Sequence, residues 1–335
     1  MQPRRARISV LYNDNPFILN NKVENLSYTD NAEGSSDDIT LELDYNFNGQ
    51  FIPAKESIID VMLYFDNWER EGNTETYHCG AFVVDDITYS GPPNMMSIKG
   101  VATPASEAFS SVPKYQSWEN TTLEDIAKEK MNLYGMTKLF YNAPRIEIQK
   151  IEQNGETDSG FLKSLCEKYN LCLKIYKMGL VIFAWEVYEE NLQPSAVLSV
   201  NDPQVKSYNW NSTTYGTYTG AHLRHTTKKT QKQESQTFDV TLGTGPRMLE
   251  LNDSVETEQE AIEIARQKVN AANMDAVTLS LDINPNVFIF ASNKIRIVNS
   301  GCLNGDYMVK KVTHNISGSG GHSSSLECYR MFKRL

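Results

Sequence analysis

Along the first hundred residues, apolar side chains recur at every second position in short runs. Ile39, Leu41 and Leu43 alternate with polar neighbours, residues 57–65 form a run rich in Ile, Val, Tyr and Phe, and residues 80–90 form a third. A two-residue period puts alternate side chains on one face of a strand, so each run predicts a half-buried strand. Polar clusters separate them: a turn at 46–50, an exposed loop at 66–73 carrying Trp68, and Gly91-Pro92-Pro93, where proline removes the donors a ladder needs. This stretch reads as an all-β barrel or sandwich.

The period changes after Pro113. Thr121 and Glu124 have the spacing of a capping box, in which a hydroxyl and a carboxylate each satisfy a helix-terminal N–H. Leu123, Ile126, Ala127 and Tyr134 follow at helical spacing, and Gly135 supplies a stop. A second helix is predicted over 157–169, with Phe161, Leu162, Leu165 and Tyr169 on one face. Alternation at Leu171, Leu173 and Ile175, a turn at 177–179 and the apolar run 180–185 then predict a β-hairpin, making this segment a small α+β unit. From about Asp202 the chain is mostly β again. Residues 218–226 and 236–242 flank a polar tip bearing Lys228, Lys229 and Lys232, the mark of a protruding hairpin. One helix interrupts, starting near Ser254, with Ala261, Ile262, Ala265, Val269 and Ala272 as its buried stripe. Its first half is acidic and Arg266 and Lys268 come later, the order the helix dipole favours. Strands follow over 277–283 and around Ile295 and Val309.

The expected class is mainly β with an α+β insert: a first β-barrel domain at 1–104, an α+β domain at 105–195, and a second β-barrel domain at 196–335 with one helix and the hairpin. A length of 335 residues fits two or three domains. An internal repeat supports the pairing of the barrels. Gly80, Phe82, Val84, Ile87, Thr88 and Tyr89 match Gly305, Tyr307, Val309, Val312, Thr313 and His314 in spacing and, at nearly every position, in type. Duplication of one β unit is the architecture this self-similarity predicts.

Charge narrows the partners. Against 32 Lys and Arg stand 42 Asp and Glu, a formal net charge of -10, and an acidic surface repels phosphates, so tight nucleic-acid binding is not expected. The longest apolar run, 180–185, is far short of the roughly 20 residues of a membrane-spanning helix, and no signal-peptide core follows the N-terminal arginines. Five scattered cysteines fit reduced thiols without a structural disulfide. Enzyme motifs are missing: there is no Walker loop, HExxH, GxSxG elbow or GxGxxG. His222 and His225 lie three apart on a predicted strand, which sends their rings to opposite faces, and the adjacent His78 and Cys79 have no third group. Neither a metal nor a cofactor is expected. Trp68 and the lysines Lys228, Lys229 and Lys232 are candidates for protein contact, while Tyr208, Trp210, Tyr215 and Tyr218 read as half core and half interface.

The segment IEIQKIEQNGETDSGFLKSLCEKYNLCLKIYKMGLVI, ending at Ile182, resembles the signature of the phage late control gene D family, the baseplate hubs of contractile tails. The shared features are the Glu156-Thr157-Asp158 turn opening a helix, the pair Phe161 and Leu162, the stop at Tyr169 and Asn170, and the hairpin. Gly160 and Asn170 depart from the usual residues there. The opening RRARISVLYNDN, the helix SWENTTLEDIAKEK and the closing GDYMVKKVTHNIS extend the similarity, above all to hubs of Gram-positive phages and phage-tail-like bacteriocins. The resemblance implies a non-enzymatic scaffold of the virion or bacteriocin particle, assembled in the bacterial cytoplasm. It implies a homotrimer joining a six-fold tail tube to a three-fold central spike, with the spike, the tube protein and other baseplate proteins as partners. A tail-associated cell-wall hydrolase is the competing expectation.

Overall fold

A computed structural model of the chain describes residues 3–13, 15–16, 23–33, 36–45, 53–68, 70–102, 108–176, 179–226, 236–255, 257–284, 289–317 and 321–335. The fold is mainly β, as the alternating pattern predicts.

The first unit contains β1 (Arg5–Tyr12), β2 (Asn15–Pro16), β3 (Val23–Asn31), β4 (Asp38–Asp44), β5 (Ile58–Asp66), β6 (Thr74–Ser90) and β7 (Met95–Val101). The alternating residues form its core: Ile39, Leu41 and Leu43 of β4 pack with Ile59, Val61, Leu63 and Phe65 of β5 and Phe82 and Val84 of β6.

The middle segment holds α1 (Ala108–Ser111), β8 (Pro113–Thr122), α2 (Leu123–Leu133), β9 (Lys138–Asn142), β10 (Glu147–Thr157), α3 (Asp158–Lys168), β11 (Cys172–Tyr176), β12 (Gly179–Phe183) and α4 (Trp185–Asn191). The predicted hairpin is β11 and β12, joined by β9 parallel to β12. The antiparallel ribbon of β8 and β10 has no counterpart in the sequence reading, because most side chains of both strands face solvent and carry no apolar alternation. That ribbon also moves the start of α2. Thr121 and Thr122 both pair across the ladder, so the cap is Thr122, which accepts from the Asp125 amide at 3.1 Å and donates to its carboxylate at 2.7 Å, in place of the expected Thr121 and Glu124. For α3 the expected cap holds: the Gly160 amide donates to Thr157 Oγ1 at 3.1 Å.

The last part contains β13 (Ala196–Leu198), β14 (Val205–Ser212), β15 (Gly220–Thr226), β16 (Thr237–Gly243), β17 (Met248–Leu251), α5 (Glu258–Met274), β18 (Val277–Ile283), β19 (Lys294–Ile297), β20 (Gly305–Ser317) and β21 (His322–Arg330). β15–β17 form a separate three-stranded sheet that packs under α5. Ala221, Leu223, Ala261, Ile264, Ala265 and Val269 join one core with Phe161, Leu162 and Leu165 of α3. Helix and hairpin therefore pack with the middle segment, although the sequence groups them with the last β unit. The buried face of α5 is also turned slightly from the expected stripe: Ile264 is inside and Ile262 lies at its margin.

Duplication is visible in the ladders. Strand order is β3-β4-β7-β6-β5 in the first unit and β14-β18-β21-β20-β19 in the second, and each set occurs in the same order along the chain. Registers correspond as well. Val84 lies opposite Gly100 and Ile87 opposite Ile98, with a bulge at Asp85; Val309 lies opposite Cys328 and Val312 opposite Leu326, with a bulge at Lys310. The bulged residue comes five after Gly80 in one copy and five after Gly305 in the other. These glycines have φ of +118° and +150°, a region unfavourable to other residues. A second pair of bulges matches, at Glu24 between β3 and β4 and at Lys206 between β14 and β18. Bulges bend strands at fixed places, so two coincidences at the same offsets exceed what alternation alone produces. Residues 213–276, with the hairpin and α5, occupy the connection that in the first unit is the short link from β3 to β4.

The two units are continuous. β3 pairs with the second half of β20, from Lys311 opposite Asn31 to Ser317 opposite Asn25, and makes one thirteen-stranded sheet.

Candidate assembly interface

The junction of β3 and β20 shows how one β unit accepts another. Leu26 and Tyr28 from β3 meet Val312, His314 and Ile316 from β20, and all five are buried. The Tyr28 and His314 rings stack at 6.1 Å between centroids, nearly parallel at 9°. Next to them His314 Nδ1 lies 2.9 Å from Ser324 Oγ and 3.3 Å from His322 Nε2. Burial pushes the His314 imidazole down to about 4 and that of His322 down to about 3, so both rings are neutral near pH 7. The contact of Ser324 with His314 has the elements of an activated nucleophile, yet Ser324 is fully buried and no substrate can reach it.

A charged cluster ties this junction to the middle segment. Lys174 of β11 reaches across to Asp30 at the end of β3 and to Asp37 at 3.0 Å, and it donates to the Asn31 carbonyl at 3.0 Å. Asp30 in turn accepts from the Ala291 amide at 2.9 Å, so all three parts of the chain meet here. Burial pushes Asp37 up to about 6 against the pull of Lys174, while burial of Lys174 is outweighed by Asp30 and Asp37, which hold its ammonium above the ordinary range.

The middle segment has its own buried ion pair. Lys130 Nζ lies 2.6 Å from Asp158 Oδ1 with both side chains fully buried, and Gln153 and Tyr134 donate to the same carboxylate at 2.9 and 2.6 Å. Burial pushes Asp158 up, but hydrogen bonds from Lys130, Tyr134, Gln153 and Lys114 prevail and bring it to about 2.

Trp68 is half-buried, where the sequence predicts exposure. Its Nε1–H donates to the Arg5 carbonyl at 3.3 Å, its ring stands edge-on to Phe65 and His322, and the Arg4 guanidinium lies 5.5 Å above it. Much of this ring thus serves the seam between the two units. Lys228, Lys229 and Lys232 lie outside the described residues; the strands flanking them, β15 and β16, pair as expected, with Thr226 opposite Thr237. His222 and His225 do not converge: His222 contacts Asp239 at 2.9 Å and Glu250 at 3.0 Å on the exposed side of that sheet. Among the described residues no group of three or more His, Cys, Asp or Glu is placed to hold a metal, all five cysteines are free thiols, and no helix is long and apolar enough to cross a membrane.

Two edges of the large sheet carry exposed aromatic side chains, alongside exposed apolar residues of the middle segment such as Tyr115, Leu133 and Phe140. β14 pairs with β18 alone among the described strands, and Tyr208 on it is 52% exposed; Tyr89 near the end of β6 is 41% exposed and packs on Tyr45 at 5.1 Å. Tyr215, just beyond β14, also faces solvent, so of the four aromatics read as half core and half interface, Trp210 and Tyr218 supply the buried share.

No family model matches the sequence, and no curated protein matches it. Solved structures do match, over nearly the whole chain. The 43 kDa tail protein of prophage MuSo2 from Shewanella oneidensis is 15% identical with a TM-score of 0.73, covering 97% of this chain and 98% of that one. A tail protein from Neisseria meningitidis MC58 is 11% identical with a TM-score of 0.71, covering 97% of each chain. The E. coli c3393 protein, described as a type VI secretion component structurally similar to the T4 tail proteins gp27 and gp5, is 9% identical with a TM-score of 0.60, over 99% of this chain and 78% of its own. The chain has the fold of these tail proteins.

Proposed function

We propose that the protein is a structural baseplate hub of a contractile tail or a related bacteriocin particle: a homotrimer that closes the end of the tail tube and seats the central spike. The observation that carries this reading is the duplicated β unit. A six-fold tube and a three-fold spike cannot share one interface unless something presents both symmetries, and three chains with two matching units each offer six similar surfaces on a three-fold axis. Tail proteins with this fold, matched over 97–98% of both chains, support the same setting.

In this reading the first β unit lies within 1–104 and the second within 196–335. The α+β domain at 105–195 lies to one side and, with the α5 layer, holds the two units at a fixed angle. The protein acts by geometry and has no catalytic role; Trp68, Lys228, Lys229 and Lys232 contact neighbours, and the tube, the spike and other baseplate proteins are those neighbours. Native mass spectrometry of the purified full chain over rising concentration tests the stoichiometry. A trimer is the expected species, and a monomer or dimer at every concentration overturns the reading.

A further inference from the structure

The internal repeat makes the junction of β3 and β20 a template for a second junction that the single chain cannot form. By the matched registers, β14 is the counterpart of β3, with Tyr208 and Trp210 in the places of Leu26 and Tyr28. The end of β6, residues 86–90, is the counterpart of Lys311–Asn315 in β20, with Ile87 and Tyr89 in the places of Val312 and His314. In the formed junction Leu26, Tyr28, Val312 and His314 are all 3% exposed or less. Their counterparts Tyr208 and Tyr89 are 52% and 41% exposed. Two of the four positions, those of Tyr208 and Tyr89, are thus covered where a partner strand exists and open where it does not, while Trp210 and Ile87 are half-buried in the single chain.

The open edges have the geometry to pair. In β20 the edge that takes β3 is the one that takes β19 further back, and in β6 the corresponding edge takes β5 only as far as Val83. β14 spans eight residues without a proline, the kind of edge that invites another strand. We infer that residues 86–90 of one copy of this chain pair antiparallel with β14 of a second copy, in the register of the β3 and β20 junction. That register sets Ile87 opposite Ser212, Thr88 opposite Asn211, Tyr89 opposite Trp210 and Ser90 opposite Asn209. Tyr89 and Trp210 then take the stacked positions of His314 and Tyr28. Repeated three times, the pairing makes every contact between β units alike, whether within or between chains. The inference rests on the trimeric reading above and adds to it which strands meet and in what register.

Cysteine cross-linking tests it. Thr88 and Asn211 are both exposed, and the exposed native thiol is Cys302, so the full chain carries Thr88→Cys and Asn211→Cys with Cys302→Ser. An off-register control carries Thr88→Cys with Asn209→Cys. The expected result under mild oxidation is a covalent trimer from the first protein and at least tenfold less from the control. Mixing two chains, each with one of the paired cysteines, should give a reducible dimer, which keeps the test valid if the double variant folds poorly. A species trimeric by native mass spectrometry that forms no link in register overturns this inference and leaves the hub reading standing. In-register linking within a species that is not trimeric supports the strand pairing and overturns the ring. A protein that neither links nor trimerises overturns both.

Discussion

Lys130 and Asp158 are both fully buried and pair at 2.6 Å inside the middle segment. Asp158→Ala leaves a buried ammonium with Gln116, Gln153 and the face of Trp118 but no counter-charge, so the expected loss is about 3–5 kcal/mol, read by urea denaturation of the full chain. Because the native carboxyl is lowered from 3.8 to about 2, its contribution is complete above pH 4 and disappears as pH falls through 2. The pair was half legible in the sequence. Leu123, Ile126, Ala127 and Lys130 follow the spacing of one helix face, so a lysine on that apolar stripe signals a buried charge in need of a partner. Its partner was hidden, since Asp158 sits at a helix start where an acidic residue is ordinarily explained by capping.

Lys174 gives a prediction with the opposite pH dependence. Folded Asp37 holds its proton up to about pH 6 and an unfolded aspartate only up to about 3.8, so this group favours folding at low pH and the favour is lost as pH rises through that window. Lys174→Met strands Asp30 and Asp37 together. The loss in stability should reach about 3 kcal/mol or more at pH 8 and be smaller at pH 5, where Asp37 carries a proton. Equal losses at the two pH values, measured by chemical denaturation, would show that Asp37 does not titrate in this range.

At the scale of elements, strands and helices with strong periodicity were legible and exposed or inserted ones were not. β4, β5 and the hairpin of β11 and β12 announce themselves through alternation, whereas the ribbon of β8 and β10 buries too little for any pattern to arise. α5 was found as a helix, but that its core continues into α3 of the middle segment was not, because an amphipathic stripe says that a face is buried and not against what. The cap of α3 is a modest local contribution: Thr157→Ala should cost about 1 kcal/mol, and melting of the variant checks it. A loss several times larger would mean that Thr157 also holds β10 in place.

For the whole molecule, the repeat was legible in ten residues and its extent was not. The match from Gly80 to Tyr89 with Gly305 to His314 reported one strand, while the equivalence of Ile39–Leu43 in β4 with Leu279–Ile283 in β18 emerges only once registers and bulges align the other strands. Nothing in the sequence marked residues 213–276 as an insertion between two equivalent strands, and nothing in it revealed that β3 would pair with β20. Net charge bears on the assembled ring. At -10 per chain, a gel shift at physiological ionic strength should show no retention of DNA, and retention would reveal a basic surface that the total conceals.

The most direct test of the account is an image of the assembled particle viewed down its axis. Six lobes of matching shape on an exact three-fold axis, first and second β units alternating and joined strand to strand at every boundary, is the result the duplicated ladders predict. A ring in which first units meet first units, or a particle with any number of chains other than three, would contradict it.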